Sequence, residues 1–156
     1  MKRIIILILF TVIAFSCEKE YYTTIPNFSV YFELRLSFYE YELKNTDLAY
    51  KTFTQPRLEV EKGKMGYGGL LVINGISQLF AYDLACPVEA QRNIHVVPDN
   101  LSSSTSVLPT AIKATCPECG AIFNIADGSG APQSGTKYYL RSYRVVESGM
   151  KCIVTN

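Results

Sequence analysis

Cys116-Pro117-Glu118-Cys119-Gly120-Ala121-Ile122-Phe123-Asn124 is the stretch on which the reading of this chain turns. Two cysteines stand three apart around a proline, and a glycine then opens a short apolar run. A Cys-x-x-Cys turn places two sulfurs where they can share one metal ion or oxidise to each other. In thiol–disulfide enzymes such a pair opens a helix, which lowers the cysteine pKa. Here Gly120–Ile125 reads as a strand stopped by Asp127-Gly128-Ser129-Gly130, so a redox-enzyme reading is disfavoured.

Working outward, the same β grammar recurs. Ala111–Thr115 is a short strand leading into Cys116, and Asn93–Val97 is one ended by Pro98-Asp99-Asn100. The string Gly66-Tyr67-Gly68-Gly69 introduces Leu70-Leu71-Val72-Ile73, and Asn74-Gly75 separates that run from Ile76–Leu84. Asn-Gly between apolar runs predicts a hairpin with a type I′ turn. Residues 137–146 and 150–155 predict a last hairpin across Ser148-Gly149. Towards the N-terminus, Phe28, Val30, Phe32, Leu34, Leu36 and Phe38 alternate with polar residues, as in a strand with one buried face. Tyr39–Asp47 is consistent with either a strand extension or a helical turn. Lys51–Val60 is a further strand, which Pro56 pushes to a sheet edge. Residues 101–106, Leu-Ser-Ser-Ser-Thr-Ser, are loop. Eleven Tyr, eight Phe, no Trp and many Val and Ile agree with strands throughout. The expected fold is all-β, an antiparallel sandwich or barrel.

The N-terminus has a different character. Lys2-Arg3 precedes an uncharged apolar run from Ile4 to Phe15, shorter than the about 20 residues that span a bilayer. This suits the central region of a secretory signal. Ala14-Phe15-Ser16-Cys17 resembles the lipobox of bacterial lipoproteins, and Glu18-Lys19-Glu20 resembles the charged start of lipoproteins in Bacteroides-like bacteria. The resemblance implies a signal peptide over 1–16, lipidation of Cys17 by acyl chains such as palmitate, a tether over 17–27 and a single domain over 28–156. It places the protein in the bacterial cell envelope, held to the membrane by its lipid, where an envelope protein would be its partner. Loss of Lys2 and Arg3 takes the basic side chains from 15 to 13, against 14 acidic ones, a net charge of about −1. No basic patch points to nucleic acid.

Once Cys17 is assigned to the anchor, Cys86, Cys116, Cys119 and Cys152 remain. A complete zinc ribbon needs a second Cys-x-x-Cys pair, and Cys86-Pro87-Val88 supplies a single cysteine. Cys152, alone in a strand, reads as a small buried hydrophobe. Glu89 and Glu118 are oxygen donors within the cysteine loops and read as solvated loop charges. The only histidine, His95, falls in a strand and needs no functional role. The tyrosine runs read as half-buried strand residues. No phosphate loop or serine-elbow string supports a hydrolase or transferase.

The stretch from Gly69 to Val154 resembles a Rieske [2Fe-2S] domain in divergent form. Leu79–Leu84 leads into Cys86-Pro87-Val88; Cys116–Asn124 matches the second loop and its strand; Asp127-Gly128, Ala131-Pro132 and Leu140–Val145 follow in the family's order. Residues 21–65 are an added N-terminal β segment. In a Rieske centre two cysteines hold one iron and two histidines the other. The resemblance places Cys86 and Cys116 on the cysteine positions, Val88 on the first histidine position and Cys119 on the second. It therefore implies Cys86, Cys116 and Cys119 as ligands, for an iron–sulfur cluster or for one metal ion such as zinc, with electron transfer as the activity of the first. The alternative is a cluster-free structural or interaction lipoprotein with paired cysteines, since the Rieske histidines are absent. In both cases Cys86 and Cys116 are expected side by side, without the spectrum of a two-histidine Rieske centre.

Overall fold

A computed structural model describes residues 21–101 and 108–156. The expected signal peptide over 1–16, the expected lipidation at Cys17 and most of the serine-rich loop lie outside the described residues. The described residues form ten strands: β1 (Tyr31–Arg35), β2 (Tyr50–Phe53), β3 (Leu70–Asn74), β4 (Leu79–Asp83), β5 (Val97–Pro98), β6 (Lys113–Thr115), β7 (Ile122–Asn124), β8 (Pro132–Ser134), β9 (Ser142–Ser148) and β10 (Lys151–Thr155). The only helical elements among the described residues are α1 (Tyr41–Asn45) and a 3-10 turn at Glu59–Glu61. The strands make two antiparallel sheets, in the orders β1-β10-β9-β4-β3-β2 and β5-β6-β7-β8. The fold is all-β, as the sequence predicts.

The side-chain pattern of each strand reports its place. In β1, Phe32 and Leu34 are fully buried while the intervening residues face outward. The alternation runs out at its ends, where Phe28 and Phe38 are exposed. The unbroken run Leu70-Leu71-Val72-Ile73 is buried on both faces because β3 lies inside the large sheet between two cores. Leu70 and Val72 join Phe32, Leu34, Leu43, Ala81, Cys152 and Val154 on one side. Leu71 and Ile73 join Tyr82, Leu84, Phe123, Ile125 and Leu140 on the other, between the sheets. Successive strand residues point to opposite faces, so one continuous apolar string serves both layers.

Several local expectations are revised. The β3–β4 connection is not a two-residue turn: Asn74 still pairs with Leu79, Gly75 N–H donates to Gln78 O at 2.9 Å, and residues 75–78 form the loop. Strand β2 ends at Phe53, so Pro56 lies beyond it, although β2 is an edge strand. Tyr39–Asp47 resolves into α1, which buries Leu43. Tyr21, Tyr22, Tyr39 and Tyr41 lie outside the strands and are exposed rather than half-buried. Strand β8 carries little apolar pattern and was not legible in the sequence.

The segment before β1 lies along the domain. Ile25 is buried and its carbonyl accepts Arg141 Nε–H at 2.8 Å. Tyr139 N–H donates to Tyr22 O at 2.8 Å, and the Tyr21 ring meets Tyr139 edge-on. Buried carboxylates are satisfied. Glu61 accepts three backbone N–H groups, and Glu40 pairs with Arg57 at 2.6 Å. Among the described residues no buried side-chain nitrogen or oxygen lacks a partner.

Candidate metal centre

Two loops bring the cysteines together. The first leaves β4 at Asp83 and turns through Cys86-Pro87-Val88-Glu89-Ala90. The second links β6 to β7 through Cys116-Pro117-Glu118-Cys119-Gly120. Both are built alike. Cys86 N–H donates to Ile94 O and Cys116 N–H to Ala121 O, each at 2.9 Å. Ala90 N–H closes the first turn on Cys86 O, and Gly120 N–H closes the second on Cys116 O, both at 2.9 Å. The closing residue has positive φ in each case, +51° for Ala90 and +69° for Gly120. Glycine adopts that conformation without the Cβ clash that makes it costly for alanine.

The sulfurs of Cys86, Cys116 and Cys119 all lie within 4.8 Å of one another. Cys86 Sγ and Cys119 Sγ are 3.7 Å apart. A tetrahedral ion with metal–sulfur bonds of about 2.3 Å has sulfur–sulfur edges of roughly 3.8 Å, so this separation matches one edge of a single-ion site. Cys86 and Cys116 are buried and Cys119 is exposed, which leaves the group open to solvent on one side. All three are free thiols.

The electrostatics divide the trio. Burial pushes the Cys86 thiol up to about 12, against the amide N–H groups of Glu89 and Val88 that face its sulfur. Burial also opposes ionisation of Cys116, but the amide of Cys119, the Cys86 thiol and the amide of Glu118 outweigh it and hold Cys116 below the usual thiol range. Cys119 is raised, by burial first, although the Ala121 amide faces its sulfur. Of the three, Cys116 is the thiol whose surroundings favour ionisation, and the turn amides are aimed where negative sulfur would sit.

The remaining candidates fall elsewhere. Val88 is half-buried and packs against the inter-sheet core. His95 Nε2 lies 2.8 Å from Arg92 O, and no described carboxylate or histidine joins the three sulfurs. Glu118 is exposed. Cys152 is buried in the other core, where burial pushes its thiol up to about 11.

Two supports of the first loop carried no recognisable sequence signal. Asp83 is fully buried, and its carboxylate accepts N–H from Tyr67 (2.6 Å), Gly68 (2.9 Å) and Ala85 (2.8 Å) and the hydroxyl of Tyr143 (2.6 Å). It ties the Gly66–Gly69 string to the residue before Cys86. A Cβ on Gly68 would meet Ala85 N at 2.8 Å, so glycine is required where these strands of backbone pass. Thr24 Oγ1–H donates to Pro87 O, which links the N-terminal segment to the same loop.

No protein-family model matches the chain, and no curated protein matches it. Among solved structures it is similar to a ferredoxin of Sphingomonas yanoikuyae B1, with 18% identity over 71% of this chain and 88% of that one and a TM-score of 0.44. It is also similar to a chain in the complex of reduced oxygenase and oxidized ferredoxin in carbazole 1,9a-dioxygenase, with 15% identity over 70% and 82% and a TM-score of 0.41. A third likeness is to the ferredoxin of carbazole 1,9a-dioxygenase from Nocardioides aromaticivorans IC177, with 17% identity over 70% and 86% and a TM-score of 0.42.

Proposed function

We propose that this chain is a membrane-anchored envelope protein built around one tetrahedral metal ion held by the thiolates of Cys86, Cys116 and Cys119. The observation that carries the reading is the convergence of three sulfurs within 4.8 Å, with one pair at 3.7 Å, on loops whose amides face them. A two-iron centre with two histidines on its outer iron suits these residues less well. Val88 is apolar and packs half-buried against the inter-sheet core, and Cys119 converges on the same point as Cys86 instead of standing off towards a second iron. Soft thiolates in tetrahedral array select zinc or iron. Iron would make the domain a one-electron carrier, in keeping with the order of Rieske-like loops in the sequence; zinc would make it a structural module.

The anchor belongs to the same proposal. With acyl chains on Cys17 and the domain contacts beginning at Tyr21, four residue steps of at most about 3.5 Å each, roughly 14 Å in all, separate lipid from folded domain. The domain would therefore ride close to the bilayer. Among the described residues no helix is long and apolar enough to cross a membrane.

Titration of the reduced protein with Co²⁺ tests the centre. The expected result is saturation at one equivalent, with thiolate-to-metal absorption that Cys116→Ser abolishes and Cys119→Ser weakens. Absence of saturable binding would overturn the reading.

A further inference from the structure

Three thiolates leave a tetrahedral ion one ligand short, and the two loops indicate where the fourth comes from. Each begins with Cys-Pro. Each is closed by the amide of the fifth residue on the carbonyl of the first, at 2.9 Å in both, and each puts that fifth residue at positive φ. In each, the amides of the third and fourth residues face the sulfur of the first: Val88 and Glu89 on Cys86, Glu118 and Cys119 on Cys116. The fourth residue of the second loop is Cys119, which is already among the converging sulfurs. The fourth residue of the first loop is Glu89.

We infer that Glu89 is the fourth ligand, so that the centre is a paired Cys-x-x-Glu and Cys-x-x-Cys site; this rests on the metal centre proposed above. Glu89 is half-buried, and its carboxylate makes no hydrogen bond or ion pair with any described residue, unlike Glu33, Glu40, Glu61 and Asp83. A carboxylate so placed, beside two buried thiols, has no partner among the described residues to give up when it turns onto a cation. Its oxygens do not belong to the 4.8 Å group of sulfurs, so it closes on the ion by side-chain rotation, to a metal–oxygen bond of about 2.0–2.2 Å. The first loop keeps the tight turn with alanine at its positive-φ position, which L-residues other than Asn and Asp rarely occupy. That turn is what aims its fourth residue as the second loop aims Cys119. Glu118, one position earlier in its own loop, is exposed and takes no part.

A carboxylate in place of a fourth thiolate has a chemical consequence. The donor set becomes three soft sulfurs and one hard oxygen, while the complex with a dication keeps the net charge of −2 that four thiolates would give. The amides of Val88, Glu89, Glu118, Cys119 and Ala121 spread part of that charge.

The test compares full-length protein with Glu89→Gln, Glu89→Cys and Glu118→Gln. Zn²⁺ affinity is read by chelator competition, and the donor set by X-ray absorption of the Zn²⁺-loaded proteins. Wild type should show three sulfurs and one oxygen. Glu89→Gln should weaken binding at least tenfold, Glu118→Gln should leave it unchanged, and Glu89→Cys should bind with four sulfurs. Wild-type affinity in Glu89→Gln, or equal losses in Glu89→Gln and Glu118→Gln, would overturn the assignment and leave the three-cysteine centre standing. Failure of wild type to bind at all would remove both.

Discussion

Replacing Asp83 by asparagine removes a charge and changes no volume, yet it should be among the most damaging polar substitutions in the chain. One carboxylate oxygen accepts the amides of Gly68 and Ala85, and the other accepts the amide of Tyr67 and the Tyr143 hydroxyl, all inside a fully buried pocket. In Asp83→Asn the remaining oxygen can keep one pair of donors, while the amide NH₂ meets the other pair. The Tyr143 hydroxyl can rotate to accept from it; the Tyr67 N–H cannot. Losing a hydrogen bond to a charged acceptor and stranding a buried donor together give an expected loss of about 3 kcal/mol. Tyr143→Phe is the matched control. It leaves the carboxylate three amides and should cost about 1–1.5 kcal/mol. Tyr143 stays protonated as a donor, because burial and then the Asp83 charge push its ionisation upward. Equilibrium unfolding of the reduced, chelator-treated protein in urea measures both. Zn²⁺ affinity should fall as well in Asp83→Asn, because the lost anchor holds Ala85 beside Cys86. A loss within 0.5 kcal/mol of zero, or smaller than that of Tyr143→Phe, would refute the argument.

Other perturbations separate core, titration and anchor. Phe123 is fully buried between the sheets in the cluster that contains Cys86 and Cys116, so Phe123→Ala should destabilise by about 3–5 kcal/mol in the same unfolding assay. Burial holds the Cys86 and Cys152 thiols protonated to about 12 and about 11, above the ordinary value of 9.0. The unfolded chain therefore sheds protons first, and this contribution to stability is intact below pH 9 and is lost as pH rises from 9 towards 11–12. The denaturation midpoint of the reduced protein should fall across that window, with a shallower slope in Cys152→Ala; a flat profile in wild type would contradict the assignment. If the proposed anchor is acyl chains on Cys17, Cys17→Ala should abolish palmitate incorporation and either leave the precursor unprocessed or release the protein from the membrane fraction. Unchanged fractionation and labelling would rule out the lipid anchor.

Much of the fold could be read because its signals are local. Phe32 and Leu34 alternate with polar residues, Leu70–Ile73 is a run too apolar for a surface strand, and Gly149 stands at the β9–β10 turn with φ of +63°. The nearness of the cysteine loops was implied by the family resemblance of their motifs and not by a local signal. What escaped the sequence depends on distant partners. Asp83 looks like any strand-end carboxylate until Tyr67, Gly68 and Tyr143 close around it. Ile25 looks like part of a tether until Arg141 reaches its carbonyl. Asn74-Gly75 has the composition of a tight turn, but the pairing of Asn74 with Leu79 places the reversal over four residues. Glu89 reads as a solvated charge, and only the equivalence of the two turns sets it opposite Cys119.

Metal and acid-labile sulfide analysis of the protein isolated from its own cells without oxygen tests the central claim most directly. One zinc or iron per chain with no labile sulfide is the expected result, because three sulfurs within 4.8 Å surround a single point. Two irons and two sulfides per chain, with the spectrum of a histidine-ligated cluster, would contradict it.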